Sequence, residues 1–183
     1  MNFSKITGSY RTKLIISAYK NWIKPNESIL DVGCGTGIVT KILEDYFSTN
    51  ITGCDIKNYL IYKIPFLKIK DNKIPVKDAR FSIALLNDVL HHVPKQYQAD
   101  VIKETTRVAK KVLVFEFEPT FIGKLADIIL NKFHYGDLKT PLSVRPINEW
   151  QNLFRKLSLK SQTIRLNKPF WYPFSHIAFM ITK

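Results

Sequence analysis

Ile29-Leu30-Asp31-Val32-Gly33-Cys34-Gly35-Thr36-Gly37 carries a short apolar run into an acid and then into three glycines at alternate positions. Residues 36–47 follow with helical apolar spacing, so the order predicts strand, turn and helix. Glycine belongs where a chain leaves a strand sharply and where a ligand lies against bare main chain. The helix behind it is expected to point free N–H groups at that ligand. The turn therefore reads as a nucleotide-type site.

Upstream, Leu14, Ile15, Ala18, Tyr19, Trp22 and Ile23 share a helical spacing. Residues 3–23 are expected to form a leading helix that Pro25 stops, with Tyr10 and Arg11 as lid residues near its start. Residues 28–32 read as a strand buried on both faces, as a parallel sheet requires. Further strands are expected at 50–54, ending at Asp55; at 66–69, ending near Asp71-Asn72; at 81–86, running into Asn87-Asp88-Val89-Leu90-His91-His92-Val93; and at 112–117. Helices are expected over 95–108, 121–133 and 147–157, with Asn148 as a cap of the last. Residues 159–166 and 176–182 read as a terminal antiparallel pair. The alternation predicts an α/β fold: one domain over 1–183 with a doubly wound, mostly parallel seven-stranded sheet, an antiparallel C-terminal hairpin and residues 1–25 over the site. Ligands in such sheets bind at the carboxyl ends of the strands. An acid at the tip of the second strand, Asp55, can accept hydrogen bonds from both hydroxyls of a ribose.

The 183 residues, 45% of them hydrophobic, suffice for one well-buried domain. No apolar run reaches the roughly 18 residues of a membrane span, and no processing site follows the N-terminus, so a soluble cytoplasmic protein is expected. Cys34 and Cys54 are too few for a disulfide framework and lack metal spacing. They read as free thiols lining the site, and no metal is expected. The net charge of +13 is unevenly placed: residues 150–183 carry Arg155, Lys156, Lys160, Arg165, Lys168 and Lys183 and no carboxylate. Solvated surface lysines explain that excess as well as an anionic partner does, whether nucleic acid, membrane or cofactor. The cluster Phe170-Trp171-Tyr172-Pro173-Phe174 beside Lys168 suits a membrane-surface tip or the core of the last hairpin, and the core is the expected place.

Spacing separates the nucleotides that the turn can serve. A triphosphate loop needs Gly-Lys-Ser or Gly-Lys-Thr, whereas Gly37 is followed by Ile38. A dinucleotide turn wants its third glycine at position 38. With Gly-x-Gly-x-Gly and an acid two residues ahead, the chain resembles the class I S-adenosylmethionine-dependent methyltransferases, particularly the small single-domain type acting on small molecules. Leu30 to Gly37 matches the first motif of that family, Gly53-Cys54-Asp55-Ile56 the second strand tip, Asp71 with Ile74-Pro75-Val76 and Phe81 the third, and Asn87 to Val93 the fourth.

The resemblance implies a Rossmann-like sheet, methyl transfer and S-adenosylmethionine as cofactor. It implies Gly33, Cys34 and Gly35 against the amino-acid end of the cofactor and Asp31 favouring its ammonium. Asp55 would lie on the ribose diol, Ile56 on adenine, Asp71 with Asn72 at the adenine amino edge, and Asn87 near the methionyl part. A cofactor cationic at sulfur suits acidic, carbonyl-rich strand ends. His91, His92, Asp88 and Glu116 are candidate bases for a hydroxyl acceptor. His134, Tyr135 and Arg145 in the 134–146 loop are candidate acceptor contacts. The expected substrate is a small organic acceptor, methylated at oxygen. The Asn-Pro-Pro-aromatic turn of amine methylators is replaced by Asn87-Asp88-Val89-Leu90. Two other readings stay open: an RNA methyltransferase using the basic surface, and a non-catalytic cofactor-binding partner subunit. Asp55→Ala and Gly33→Val are each expected to abolish or greatly weaken cofactor binding without unfolding the domain.

Overall fold

Burial of period two on one set of segments and of period near four on another builds the molecule. The computed structural model describes residues 3–135 and 142–183, with side chains over 9–129 and 142–183. In chain order the elements are α1 (Phe3–Tyr19), β1 (Ile29–Val32), α2 (Ile38–Phe47), β2 (Ile51–Asp55), β3 (Phe66–Lys68), β4 (Phe81–Asn87), α3 (Gln98–Val108), β5 (Ala109–Phe117), α4 (Phe121–Tyr135), α5 (Ile147–Lys156), β6 (Lys160–Arg165) and β7 (His176–Thr182). A short 3-10 turn, Leu90–His92, follows β4.

The strands form one seven-stranded sheet in the order β3-β2-β1-β4-β5-β7-β6. β1 to β5 run parallel, β7 is antiparallel to β5, and β6 antiparallel to β7. The chain winds outward both ways from the β1–β4 pair, so a crevice opens beyond the carboxyl ends of those two strands. Alternate residues of the central strands serve opposite faces. Ile83, Leu85, Leu113 and Phe115 pack with Ile15, Ala18 and Tyr19 of α1 and Leu43 of α2. Ala84, Leu86, Val112 and Val114 pack with Ile102 of α3 and Trp150 and Phe154 of α5.

The sheet agrees with the sequence reading, and the departures have local causes. α2 starts at Ile38 rather than Thr36, because Gly37 is left-handed at φ 77° and the Thr36 carbonyl accepts Ile61 N–H at 3.1 Å. α3 starts three residues late, after a turn in which Tyr97 N–H donates to Pro94 O. β5 begins at Ala109, and its Lys111 ammonium is drawn to Trp22 O (2.5 Å) and Glu27 (3.3 Å). Asn148 does not cap α5; Pro146 holds that position, and the Asn148 carbonyl oxygen accepts the neighbouring Glu149 N–H. The aromatic cluster divides, with Tyr172 and Phe174 buried, Phe170 99% exposed and Trp171 41% exposed.

Candidate active site

The glycine turn closes on itself. Gly33 N–H and Cys34 N–H both donate to Cys54 O, at 2.7 and 3.2 Å, and Gly37 N–H donates to Cys34 O at 3.0 Å. Gly35 N–H donates to Asp55 Oδ2 at 3.0 Å, while Ile56 N–H takes Asp55 Oδ1 at 2.7 Å. The N–H groups of Gly33, Cys34, Gly35 and Gly37 are thus already used. What the turn offers a ligand is carbonyl and carboxylate oxygen, a donor set that suits a cation and leaves a pyrophosphate unsatisfied. Gly33 is required by backbone as well as by space: its φ is +76°, and a Cβ there would meet Val89 Cγ2 at 2.6 Å. Gly37 is held by Leu60 and Ile64, whose methyls would lie 2.6 and 3.0 Å from an added Cβ.

Behind the turn, Asp31 is only 3% exposed. Its Oδ2 accepts the Thr40 hydroxyl at 2.6 Å, and its Oδ1 accepts Asn87 Nδ2 at 3.3 Å. The carbonyl oxygen of Asn87 in turn accepts the Tyr19 hydroxyl at 2.9 Å. Burial pushes the Asp31 carboxyl up to about 6 despite those two donors. A proton relay is not needed to explain this chain of groups; it ties α1, β1, α2 and β4 together at the crevice. Tyr19 and Thr40 carry no motif, and sequence reasoning missed both.

The other expected donor-side residues lie around the same edge. Ile56 is an apolar side chain 66% exposed at the tip of β2. Asp71 and Asn72 are exposed and left-handed, φ 48° and 58°, at the tip of a hairpin turn closed by Lys70 and Lys73. Cys34 and Cys54 are free thiols, and burial pushes both up to about 12. They are inert as thiolates at neutral pH.

On the other side of the crevice the ends of β4, β5 and β7 gather a buried charge cluster beneath α1 and α4. His91 Nδ1–H donates to Glu116 Oε2 at 2.6 Å, and Glu116 Oε1 accepts Leu90 N–H at 2.7 Å. His91 Nε2 faces Asp127 of α4 at 3.7 Å. Burial works against protonation of His91, but Glu116, Asp88 and Asp127 raise it to about 9, so the ring is an imidazolium at neutral pH. The His92 ring lies 4.0 Å from that of His91; burial and the neighbouring cation push it down to about 4. Asp88 Oδ2 accepts Arg11 Nη1 at 3.1 Å, and Oδ1 lies 3.6 Å from His176 Nε2. Burial opposes ionisation of Asp88, yet His176 and Arg11 hold it well below the usual carboxylate range. Asp88 Oδ1 is buried and makes no hydrogen bond to the described residues.

Of the expected acceptor contacts, Arg145 is spent elsewhere: it bonds Gln98 Oε1, Glu149 (3.1 Å) and Lys95 O (3.0 Å). The side chains of His134 and Tyr135 lie outside the described residues. Arg11 reaches the crevice, where its Nη1 bonds Asp88 Oδ2. Asp127 and His176 were missed; His176 was legible only as a polar residue opening an otherwise apolar strand.

The model of a family described as "Methyltransferase domain" matches residues 30–114, from β1 through most of β5. Among curated proteins no match is found. Solved structures similar to the chain include a SAM-dependent methyltransferase from Methanosarcina mazei, 19% identical, covering 90% of this chain and 95% of that one at a TM-score of 0.65. Another is 1,6-didemethyltoxoflavin-N1-methyltransferase from Burkholderia thailandensis, with bound 1,6-didemethyltoxoflavin and S-adenosylhomocysteine (14% identity, 97% and 78% coverage, TM-score 0.69). A third is a cyclopropane-fatty-acyl-phospholipid synthase-like protein from Lactobacillus casei (16%, 98% and 92%, 0.69). Through the domain match across the glycine turn and the shared sheet, this chain is similar to the S-adenosylmethionine-dependent methyltransferases.

Proposed function

We propose that the chain moves a methyl group from S-adenosylmethionine to an oxygen of a small organic acceptor, and does so in the cytoplasm, where its two free thiols are at home. The reading is carried by Asp88 Oδ1, a buried carboxylate oxygen without a hydrogen bond among the described residues, at the end of β4 beside the donor turn. An acceptor hydroxyl would supply the missing donor and be oriented by it. The cofactor supplies an electrophilic methyl at a sulfonium, so the protein has chiefly to hold the nucleophile in line. No group here is a strong base: His91 is already protonated, and His92 and Asp88 bind a proton weakly. The site therefore suits a hydroxyl that ionises readily, such as a phenol or an enol.

On the donor side, Asp55 holds the ribose diol and exposed Ile56 covers adenine in this reading. The Asp71-Asn72 tip meets the adenine amino edge, Gly33, Cys34 and Gly35 flank the amino-acid end, and Asp31 acts on its ammonium. Asn87 contributes through its main chain, because both polar atoms of its side chain are engaged. Part of the basic C-terminal third lies away from the crevice, which lends an RNA substrate no support there: Lys160 pairs with Thr182 at the opposite end of the sheet, next to Lys183. The test is transfer of labelled methyl from S-adenosylmethionine into a cell extract split into small-molecule, lipid and RNA fractions. Label in the first, released by reagents that cleave methyl ethers or esters, is expected; nuclease-sensitive label would overturn the reading. Asp88→Asn should lower kcat while leaving cofactor affinity unchanged.

A further inference from the structure

The edge of the sheet that carries the crevice is apolar on its outside. The inner side of α4 packs down: Ala126 lies against the core, and a Cβ on Gly123 would come 3.5 Å from the Phe117 ring. Its outer side leaves Phe121 83% exposed, with Ile122, Leu125, Ile128 and Ile129 also exposed. These positions repeat at helical spacing, so they form one continuous face. The loop joining β6 to β7 reaches the same edge, because Glu118 N–H, just after β5, donates to Ser175 O at 2.8 Å. That loop turns Tyr172 and Phe174 into the core and leaves Phe170 and Trp171 outside. Trp171 rests on Tyr10 of α1 with ring centroids 5.0 Å apart, which fixes it at the rim of the crevice.

The charges around this face are positive. Lys124 stands between Ile122 and Leu125, and Lys168 precedes Phe170; both are exposed. The neighbouring carboxylates are occupied, Asp127 facing inward to His91 at 3.7 Å and Glu118 paired with Arg165 at 3.5 Å. Across the crevice, exposed Tyr59, Ile61 and Tyr62 are flanked by exposed Lys57 and Lys63, which repeats the same composition. Aromatic and aliphatic side chains interleaved with lysine match the headgroup layer of an anionic membrane, where rings sit at the boundary and ammonium groups meet phosphate. No helix among the described residues is long and apolar enough to cross a bilayer.

We propose that this edge docks on an anionic phospholipid bilayer, with Phe121, Ile122, Phe170 and Trp171 entering the interfacial layer and Lys124 and Lys168 meeting lipid phosphates. The inference stands apart from the methyl-transfer reading, since docking requires only this surface.

Trp171 makes the test direct. The chain has three tryptophans, and Trp22 and Trp150 are buried, so a change in emission on adding lipid reports Trp171. With vesicles of phosphatidylglycerol and phosphatidylethanolamine, the full chain should co-sediment and its emission should shift to the blue. Lipids brominated on the upper acyl chain should quench it. Pure phosphatidylcholine should bind far less, by about fivefold for each lysine engaged. Ile122→Ser with Phe170→Ser should lower partitioning by about tenfold or more while circular dichroism and S-adenosylhomocysteine binding stay unchanged. Three results would overturn the proposal: no co-sedimentation with anionic vesicles at low salt; binding that salt abolishes, with Trp171 unshifted and the double variant binding as wild type; or self-association on light scattering that the double variant abolishes and vesicles do not compete away.

Discussion

The two halves of the crevice are assembled differently. In the donor half, four of the five N–H groups from Gly33 to Gly37 find acceptors in the turn itself or at the tip of β2, Asp55 lying 20 residues from Gly35. In the acceptor half, Arg11 reaches Asp88 across 77 residues and His91 reaches Glu116 across 25. The donor half is a backbone structure, shaped by where a Cβ is tolerated. The acceptor half is a side-chain structure, shaped by which charges the topology brings together. Mutations should therefore break the first by sterics and the second by electrostatics.

The largest effect is expected from Gly33→Val, which must force a left-handed φ and a methyl into Val89. A cost of about 3 kcal/mol or more is expected, visible as a lower denaturant midpoint together with loss of S-adenosylhomocysteine binding. On sequence alone the expectation is weakened cofactor binding in a domain that does not unfold; the contact with Val89 adds the cost in stability. Next is Glu116→Gln, which strips the His91 imidazolium of its closest anion and should cost about 3 kcal/mol. The His91 pKa of about 9 lies above its ordinary 6.5. Its stabilisation is thus complete below pH 6.5 and lost as pH rises through 9. Denaturation at pH 6, 7.5 and 9 should show that slope in wild type and a flatter one in the variant.

Asp31 titrates in a separate window. Its pKa is raised from 3.8 to about 6, so stability falls as pH rises between those values, and Asp31→Asn should remove that fall. Asp55→Ala should weaken cofactor binding by about a hundredfold, the loss of two hydrogen bonds to a charged group, with a smaller loss of stability from the freed Gly35 N–H. Calorimetry with S-adenosylhomocysteine measures the first and chemical denaturation the second. The smallest effect is Tyr19→Phe, about 1 kcal/mol from leaving Asn87 Oδ1 unsatisfied.

Legibility followed the same divide. Gly33, Gly37 and Asp55 could be read because sterics and strand order act over a few residues, and the parallel strands because their apolar runs are buried on both faces. What the turn does with its N–H groups could not be read, since that depends on the carbonyl of Cys54 on the neighbouring strand. Arg145 looked available in a polar loop, but tertiary contacts with Gln98 and Lys95 consume it. The aromatic run 170–174 has no period that tells Tyr172 from Phe170; only the packing of Tyr10 against it does. His176 and Asp127 enter the charge cluster through sheet order and helix placement, neither of which leaves a mark at those positions.

The chain of groups from Tyr19 through Asn87 and Asp31 to Thr40 has a thermodynamic consequence. It joins the hold of α1 on the body of the protein to the floor of the cofactor crevice by hydrogen bonds in series. Linkage is reciprocal: if docking of α1 improves cofactor affinity by some factor, cofactor binding tightens α1 by the same factor. Amide exchange in α1 should then slow on adding S-adenosylhomocysteine, and Tyr19→Phe should shrink that protection, so that a helix remote from the turn in sequence reports its occupancy.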